Sequence, residues 1–241
     1  MEDKNPNLYK YHSITRMPCS HCSHLCSPKA KACPKCGEPL TPLKNTADLD
    51  YNYNMISERT SHEFYIKSIE NNINHQIPKL RKVNKGIRGY KKAEDQILTL
   101  SLFKCRLTEI PPEVYQLSSL KKLFLRRNSL EIISKEIMFL ENLEILNASI
   151  NKLEHISPSI GSLTNLKYLD LSSNNLKAIP ETVGNLKSLE YLNLSNNKLL
   201  NIPESFAGLS SLRYLNLKAN FWIEIPSSVH DLRAKGLEIY Q

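Results

Sequence analysis

Apolar and polar residues follow a repeating order through the C-terminal part of the chain. Residues 166–188 read LKYLDLSSNNLKAIPETVGNLKS and residues 189–211 read LEYLNLSNNKLLNIPESFAGLSS, with leucines at the same places. The same 23-residue order continues on both sides without an insertion. The repeat units begin at Ile97, Leu120, Leu143, Leu166, Leu189 and Leu212. A fixed period of about 20 to 50 residues is typical of a solenoid.

Each repeat unit contains a short alternating segment. In the fourth unit, Leu169, Asp170, Leu171 and Ser172 alternate between apolar and polar side chains. A period of two predicts a strand with one buried face. One such strand cannot bury its leucines alone, so neighbouring units are expected to stack and share a continuous core.

Two further positions recur after the strand. An asparagine occupies the first of them in five units, at Asn128, Asn151, Asn174, Asn197 and Asn220. Its amide is expected to bond backbone groups that the turn would otherwise bury unpaired, and Cys105 takes this place in the first unit. An Ile-Pro pair follows in most units. Because Ser134 and Ser157 replace the proline, we expect less restrained coils there.

The combined pattern, L-x-x-L-x-L-x-x-N-x-L followed by x-x-I-P, resembles the leucine-rich repeat family in its class of 23-residue repeats, over roughly residues 97–232. The resemblance implies an α/β fold, a horseshoe-shaped solenoid with short parallel strands on its concave face. It also implies a protein-protein interaction module that binds its partner on that face. Residues 237–240 are expected to add a capping strand, so the repeat domain is assigned to residues 97–241.

The polar positions beside the strand leucines form the candidate partner-binding surface. It comprises Phe103, Lys122, Phe124, Arg126, Tyr168, Asp170, Tyr191, Asn193, Tyr214, Asn216 and Lys218. The tyrosines are expected to form a ladder at about one strand spacing, and tyrosine and arginine are frequent in binding hot spots. The alternative for each tyrosine is a cross-strand packing pair. Phe124, beside Arg126, is expected to be exposed and to contact the partner.

The part of the chain before the repeats is expected to contain three segments. They are a flexible tail (residues 1–16), a small metal-binding domain (17–42), and a linker with a helical N-terminal cap (43–96). A helix is predicted from Thr60, with Pro78 ending or bending it. Its apolar face is formed by Ile66, Ile69, Ile73 and Ile77. This helix is expected to cover the open end of the solenoid core.

Four of the six cysteines have the spacing of a zinc site. They are Cys19, Cys22, Cys33 and Cys36. Two Cys-x2-Cys pairs bring four thiolates to one ion, a set that suits a closed, structural Zn²⁺ site. The stretch resembles the small zinc-ribbon domains of many bacterial proteins, which implies one structural zinc. Cys26 is interpreted as a small buried thiol, and the alternative is that His21 or His24 replaces a cysteine ligand.

The net charge of +8 is concentrated before the repeats. Residues 1–96 hold 16 Lys and Arg against 10 Asp and Glu, which gives +6, and residues 97–241 hold 16 against 14, which gives +2. Residues 79–92 contain seven basic residues and no acidic one. We interpret them as a solvated linker. The alternative is a phosphate-binding strip that acts with the zinc ribbon in a nucleic-acid-associated protein.

No enzymatic activity is expected. The sequence contains no P-loop, no glycine-rich dinucleotide loop and no G-x-S-x-G motif. A ubiquitin-ligase-like bacterial effector is the less favoured alternative, because the sequence lacks a separate catalytic domain. The N-terminus has no apolar core of a signal peptide and no apolar run approaches about 18 residues. We therefore expect a cytoplasmic protein without a membrane span, with delivery by a specialised secretion system as the alternative.

Overall fold

The structure is a computed structural model of the 241-residue chain. It describes residues 17–18, 25–26, 62–94, 96–221 and 223–241. The chain divides into two compact regions, Met1–Ser57 and Glu58–Gln241. In the first region, strand β1 (Met17–Pro18) pairs antiparallel with β2 (Leu25–Cys26). The elements described below all belong to the second region.

The second region is built on one sheet of eight strands. In spatial order they are β3 (Gly89–Ala93), β4 (Gln96–Ser101), β5 (Lys122–Phe124), β7 (Ile145–Asn147), β9 (Tyr168–Asp170), β10 (Tyr191–Asn193), β11 (Tyr214–Asn216) and β12 (Glu238–Tyr240). Strand β3 is antiparallel to β4, and every other neighbouring pair is parallel. The predicted stack of parallel repeat strands and the added C-terminal strand are confirmed.

Leucines on one side of this sheet form the core. The first strand slot holds Leu100, Leu123, Leu146, Leu169, Leu192 and Leu215, all fully buried. The next slot holds leucine in five repeats and Ala148 in the third. Ala148 is also fully buried, so the third repeat contributes a smaller side chain to the same continuous core.

Helix α1 (His62–Ile73) precedes the sheet. Three of the predicted apolar positions, Ile66, Ile69 and Ile73, are buried on one face of it. The helix ends before Pro78, because Asn74 leaves the helical conformation with φ of 50°. Ile77 therefore lies beyond the helix, although its side chain is also buried.

Helix α1 packs against the first repeat. Its buried isoleucines belong to the same core as the repeat leucines. On its polar side, Ser68 Oγ and Asn72 Nδ2 each donate a hydrogen bond of 3.0 Å to the carboxylate of Glu113. Glu113 lies in the segment that returns from the first strand to the second, so the helix is joined to this repeat by both apolar and polar contacts.

Short helices connect the strands on the return path. The 3₁₀ helices are Pro112–Gln116, Lys135–Phe139, Pro158–Ser162, Glu181–Asn185, Glu204–Gly208 and Asp231–Lys235, and α2 is Ser227–His230. Neighbouring 3₁₀ helices approach closely. A Cβ atom at Gly184 would clash with the carbonyl oxygen of Ser205, so this position requires glycine.

The recurrent asparagines bond the backbone as predicted. Asn174 Nδ2 donates to the carbonyl oxygens of Leu171 at 2.8 Å and Ala148 at 3.1 Å, and its Oδ1 accepts from the Leu153 amide at 3.0 Å. The other four asparagines repeat this set. Each amide thus links its own turn to the preceding repeat.

The expectation of looser coils at Ser134 and Ser157 is wrong. The residues just before them form a second parallel pair, β6 (Ile132–Ile133) with β8 (His155–Ile156). The Ser157 amide donates to the Ile133 carbonyl oxygen at 2.8 Å. Proline has no amide hydrogen, so serine permits a backbone bond that the usual residue of this slot excludes.

Strand β3 overlaps the end of the basic stretch 79–92, in residues that the sequence pattern presents as a linker. The Tyr90 amide donates to the Pro78 carbonyl oxygen at 3.0 Å, and the Leu80 amide donates to the Tyr90 carbonyl oxygen at 2.8 Å. The end of the basic stretch is therefore part of the sheet edge. In the described part of the chain, no helix has the length and apolarity needed to cross a bilayer.

Candidate functional site: the polar face of the repeat sheet

The side of the sheet opposite the leucine core, here called the polar face, is organised in rows by the strand register. One row consists of Lys91, Thr99, Lys122, Ile145, Tyr168, Tyr191, Tyr214 and Glu238. A second consists of Gly89, Ser101, Phe124, Asn147, Asp170, Asn193, Asn216 and Tyr240. Just after the strands, the corresponding positions of the repeats are Phe103, Arg126, Ser149, Ser172, Ser195 and Lys218.

The predicted tyrosine ladder is present. The ring centroids of Tyr168 and Tyr191 lie 4.3 Å apart with planes 5° from parallel, and those of Tyr191 and Tyr214 lie 4.4 Å apart at 4°. Tyr240 from the last strand continues the series at 4.9 Å with a 35° tilt. The rings therefore pack against each other, as the alternative interpretation held, while their outer edges leave the side chains half-buried.

Asp170 is tied into this face by neutral donors. Its Oδ2 accepts from Asn147 Nδ2 at 2.9 Å, and its Oδ1 accepts from the Ser172 hydroxyl at 2.6 Å and the Ser172 amide at 3.1 Å. Burial raises the pKa of the Tyr168 hydroxyl, and the negative charge of Asp170 raises it further. Burial also raises the pKa of Tyr191. Both phenols thus stay protonated at neutral pH and can donate hydrogen bonds.

Two of the predicted contact residues are much less accessible than expected. Phe124 is 9% exposed and Asp170 is 5% exposed. Phe124 occupies the middle row, and residues two apart in a strand share a face, so Lys122 and Arg126 are its neighbours along the chain on this side of the sheet. The expectation of an exposed Phe124 is wrong. Asp170 is shielded because its oxygens are directed at neighbouring donors.

The remaining predicted residues reach solvent. Lys122 and Lys218 are exposed. Half-buried side chains are those of Phe103, Arg126, Tyr168, Tyr191, Asn193, Tyr214 and Asn216. The two ends of the face differ in charge, because cations gather on β3 to β5 and tyrosines and amides on β9 to β11.

Four members of the rows were missed by sequence reasoning, namely Gly89, Lys91, Glu238 and Tyr240. Lys91 enters the first row because β3 pairs antiparallel with β4, opposite Thr99. Glu238 and Tyr240 enter through β12, at 24 residues beyond Tyr214 and Asn216 and therefore one residue out of the 23-residue period. A strand at the C-terminal end was predicted. Its register was not, because the 23-residue period does not account for the one additional residue before β12.

The proposed zinc ligands Cys19, Cys22, Cys33 and Cys36 lie outside the described residues. The same holds for His21 and His24. Within the described ranges, no group of three or more His, Cys, Asp or Glu side chains is placed to hold a metal ion. The four-cysteine site thus stays a prediction from residue spacing.

Sequence comparison decides the family of the repeats. The model of the Leucine rich repeat family matches residues 96–153, 141–199 and 164–221, which together span more than half of the chain. The chain belongs to the leucine-rich repeat family. Proteins of this family generally act in protein-protein interaction. No curated protein sequence matches the chain.

Several solved leucine-rich repeat structures are similar to this chain. A protein of Leptospira interrogans has 30% identity and a TM-score of 0.47, over 64% of this chain and 42% of that one. An internalin of Listeria monocytogenes has 25% identity and a TM-score of 0.47, over 59% and 40%. The BIR3–SERK2 complex of Arabidopsis thaliana has 30% identity and a TM-score of 0.48, over 58% and 76%. This chain spans less than half the length of the first two.

Proposed function

We propose that this leucine-rich repeat chain is a non-enzymatic interaction module that binds a protein partner on the polar face of its sheet, the concave face of the predicted solenoid. The observation that carries the proposal is the alignment of the half-buried side chains of Tyr168, Tyr191 and Tyr214 in one continuous row across neighbouring strands. Tyrosine is a side chain that protein interfaces favour.

The tyrosine ladder supports the proposal because it is already ordered. Stacked rings at 4.3 and 4.4 Å have few conformations to lose when a partner binds. Immobilising a flexible side chain at an interface costs about 0.5–1.5 kcal/mol, and the stack reduces that cost for Tyr168, Tyr191 and Tyr214. The outer edges of their half-buried rings remain accessible to the partner.

The experiment is a selection from displayed libraries of random peptides and small protein domains on the immobilised full chain. Affinities of the purified hits are then measured for two matched aromatic truncations. Tyr191→Ala removes a ring from the centre of the polar face, and Phe139→Ala removes a 55% exposed ring from a 3₁₀ helix outside the sheet. Thermal unfolding verifies that both variants fold.

We expect Tyr191→Ala to weaken binding of the selected ligands at least about tenfold, since hot-spot truncations cost about 2 kcal/mol or more and about 1.4 kcal/mol corresponds to a factor of ten. Phe139→Ala should leave their affinity unchanged. A library without enriched ligands, or equal effects of the two truncations, would contradict binding on this face.

We also propose that helix α1 is an N-terminal cap of the repeat core. A terminal repeat exposes its leucines unless another element covers them. Ile66, Ile69 and Ile73 supply an apolar face for this purpose, and the bonds from Ser68 and Asn72 to Glu113 orient the helix.

A further inference from the structure

One end of the polar face, formed by β3, β4, β5 and the turns after β4 and β5, carries a cluster of cations, here called the basic end. Its members are Lys91, Lys104, Lys122, Arg126 and Arg127. Lys91 and Lys122 are in one row on either side of Thr99. The Lys104 amide donates to the Arg126 carbonyl oxygen at 3.3 Å, which places the two turns side by side. All but Arg126, which is half-buried, are exposed.

Within the described ranges, the cations of the basic end lack a paired counter-charge. Among the residues that the structure describes, no carboxylate forms an ion pair with any of the five cations. Three other cations of the same region are paired. Lys92 Nζ lies 2.7 Å from Glu63 Oε1, Lys121 Nζ lies 3.2 Å from Glu144 Oε1, and Lys167 Nζ lies 3.8 Å from Glu144 Oε2. Like charges left together on one face repel each other and are relieved by a bound anion.

We propose that the basic end recognises an acidic segment of the partner protein. This inference rests on the proposed function and specifies the chemistry of the partner. Three neighbouring strands extend over two strand spacings, about 10 Å. An extended chain advances about 3.3 Å per residue, so the basic end matches a run of about three or four residues rich in Asp or Glu. The tyrosine and asparagine rows would contact the partner residues next to that run.

The aromatic geometry favours an acidic protein segment over nucleic acid. Single-stranded nucleic acid needs free ring faces on which bases stack. In the tyrosine ladder, neighbouring rings occupy both faces of Tyr191 and one face each of Tyr168 and Tyr214. Lys104 Nζ lies over the Phe103 ring, 5.6 Å from its centroid. Farther along the same face, the carboxylates of Asp170 and Glu238 would repel a phosphate backbone.

The test uses the ligands selected on the full chain and two double charge reversals. Lys122→Glu with Arg126→Glu reverses the basic end. Lys152→Glu with Lys198→Glu makes the same change in net charge at two exposed lysines, each directly after one of the recurrent asparagines. Affinities are measured by titration at low and at high salt, with labelled random-sequence single- and double-stranded oligonucleotides as the competing class of ligand.

We expect the selected ligands to be enriched in Asp and Glu. Their affinity should fall about 100-fold in the first variant, and should stay within about threefold in the control. The loss should shrink at high salt. Ligands in which the acidic run is replaced by lysines should prefer the reversed variant.

Other results would overturn the inference. Selected ligands without an acidic excess, or with equal affinity for both double variants, would contradict recognition of an acidic segment. The proposal that the polar face binds a protein would be unaffected. Oligonucleotides that bind more tightly than the selected ligands, and that lose affinity in the first variant alone, would assign the basic end to nucleic acid. Failure to select any ligand would remove both proposals.

Discussion

The recurrent asparagine side chains each bond backbone groups of two successive repeats. Asn174 is buried and satisfies three such groups at once, two carbonyl oxygens and one amide. An apolar replacement would leave the Leu153 amide buried without a partner and would remove one of the two side-chain bonds to each carbonyl oxygen, which keeps its bond from Asn151 or Asn197. A buried group without a partner costs about 1–3 kcal/mol, and each lost bond adds about 0.5–1.5 kcal/mol.

Asn174→Ala should therefore lower the free energy of unfolding by about 3 kcal/mol. Asn165→Ala is the matched control, because Asn165 is exposed and donates one bond to the Glu141 carbonyl oxygen; it should change stability by less than about 0.5 kcal/mol. Urea denaturation followed by circular dichroism measures both. Similar changes in the free energy of unfolding for the two variants would show that the side-chain amide of Asn174 is dispensable.

The residue before each recurrent asparagine, and before Cys105 in the first repeat, has a left-handed backbone conformation. Its φ lies between 54° and 58° in all six repeats, at Lys104, Arg127, Ile150, Ser173, Asn196 and Ala219. This conformation suits asparagine and is unfavourable for a β-branched side chain. The third repeat thus carries backbone strain that the fifth avoids.

Replacing Ile150 by Asn should raise the free energy of unfolding by about 1 kcal/mol. Ser173→Asn, the same new residue in the next repeat, should change it by only a few tenths. Urea denaturation measures both changes, because a shift of the midpoint at an unchanged m-value reports a change in the free energy of unfolding. If Ile150→Asn is neutral or destabilising, lost side-chain contacts outweigh the relief of strain.

Among the elements, helix α1 offers the clearest test of the capping proposal. Ile69 is fully buried in the core shared with the repeats, so Ile69→Ala should destabilise the repeat region by about 2–5 kcal/mol. Lys67→Ala, at an exposed position of the same helix, should cost less than about 0.5 kcal/mol. Native-state hydrogen exchange should locate the loss in the first repeat. Unchanged exchange there would mean that α1 does not cover the core.

The period of the sequence was sufficient to predict the strands, their parallel order, the ladder asparagines and the tyrosine stack. It did not predict β3, whose residues read as a basic linker, because its strand character comes from antiparallel pairing with β4 and not from alternation of its own. Nor could it show that β6 pairs with β8, since the deciding factor is an amide hydrogen retained at Ser157. The requirement for glycine at Gly184 depends on contact with the next repeat, which no single repeat reveals.

For the candidate site, the sequence predicted which strand residues align in rows but overestimated the exposure of two of them. Alternation says which side of a strand a residue lies on. It does not say how neighbours on that side cover one another, and Phe124 and Asp170 are buried for this reason. Exposure of Lys122 and the edges of the tyrosines was predictable, because these side chains are long enough to reach past their neighbours.

For the whole molecule, the division into two compact regions gives a prediction about metal removal. If residues 17–42 form a zinc ribbon, a strong chelator should release one Zn²⁺ per chain and leave the unfolding transition of Glu58–Gln241 unchanged. Metal analysis and thermal unfolding measure the two effects. Cys33→Ser should abolish zinc binding, whereas Cys26→Ser should retain it. A chelator that also lowers the unfolding temperature of the repeats would contradict the prediction that the two regions unfold independently.

The small side chain at Ala148 has a mechanical consequence. In a stack of repeats, each repeat, here called a layer, contacts only its two neighbours. A tensile force along the stack therefore acts on all the interfaces between layers in series. At this slot, the layer with alanine offers a smaller apolar side chain to its neighbours than the layers with leucine. Under tension, the protein should part first beside the third layer, leaving two shorter stacks that each keep several intact leucine layers.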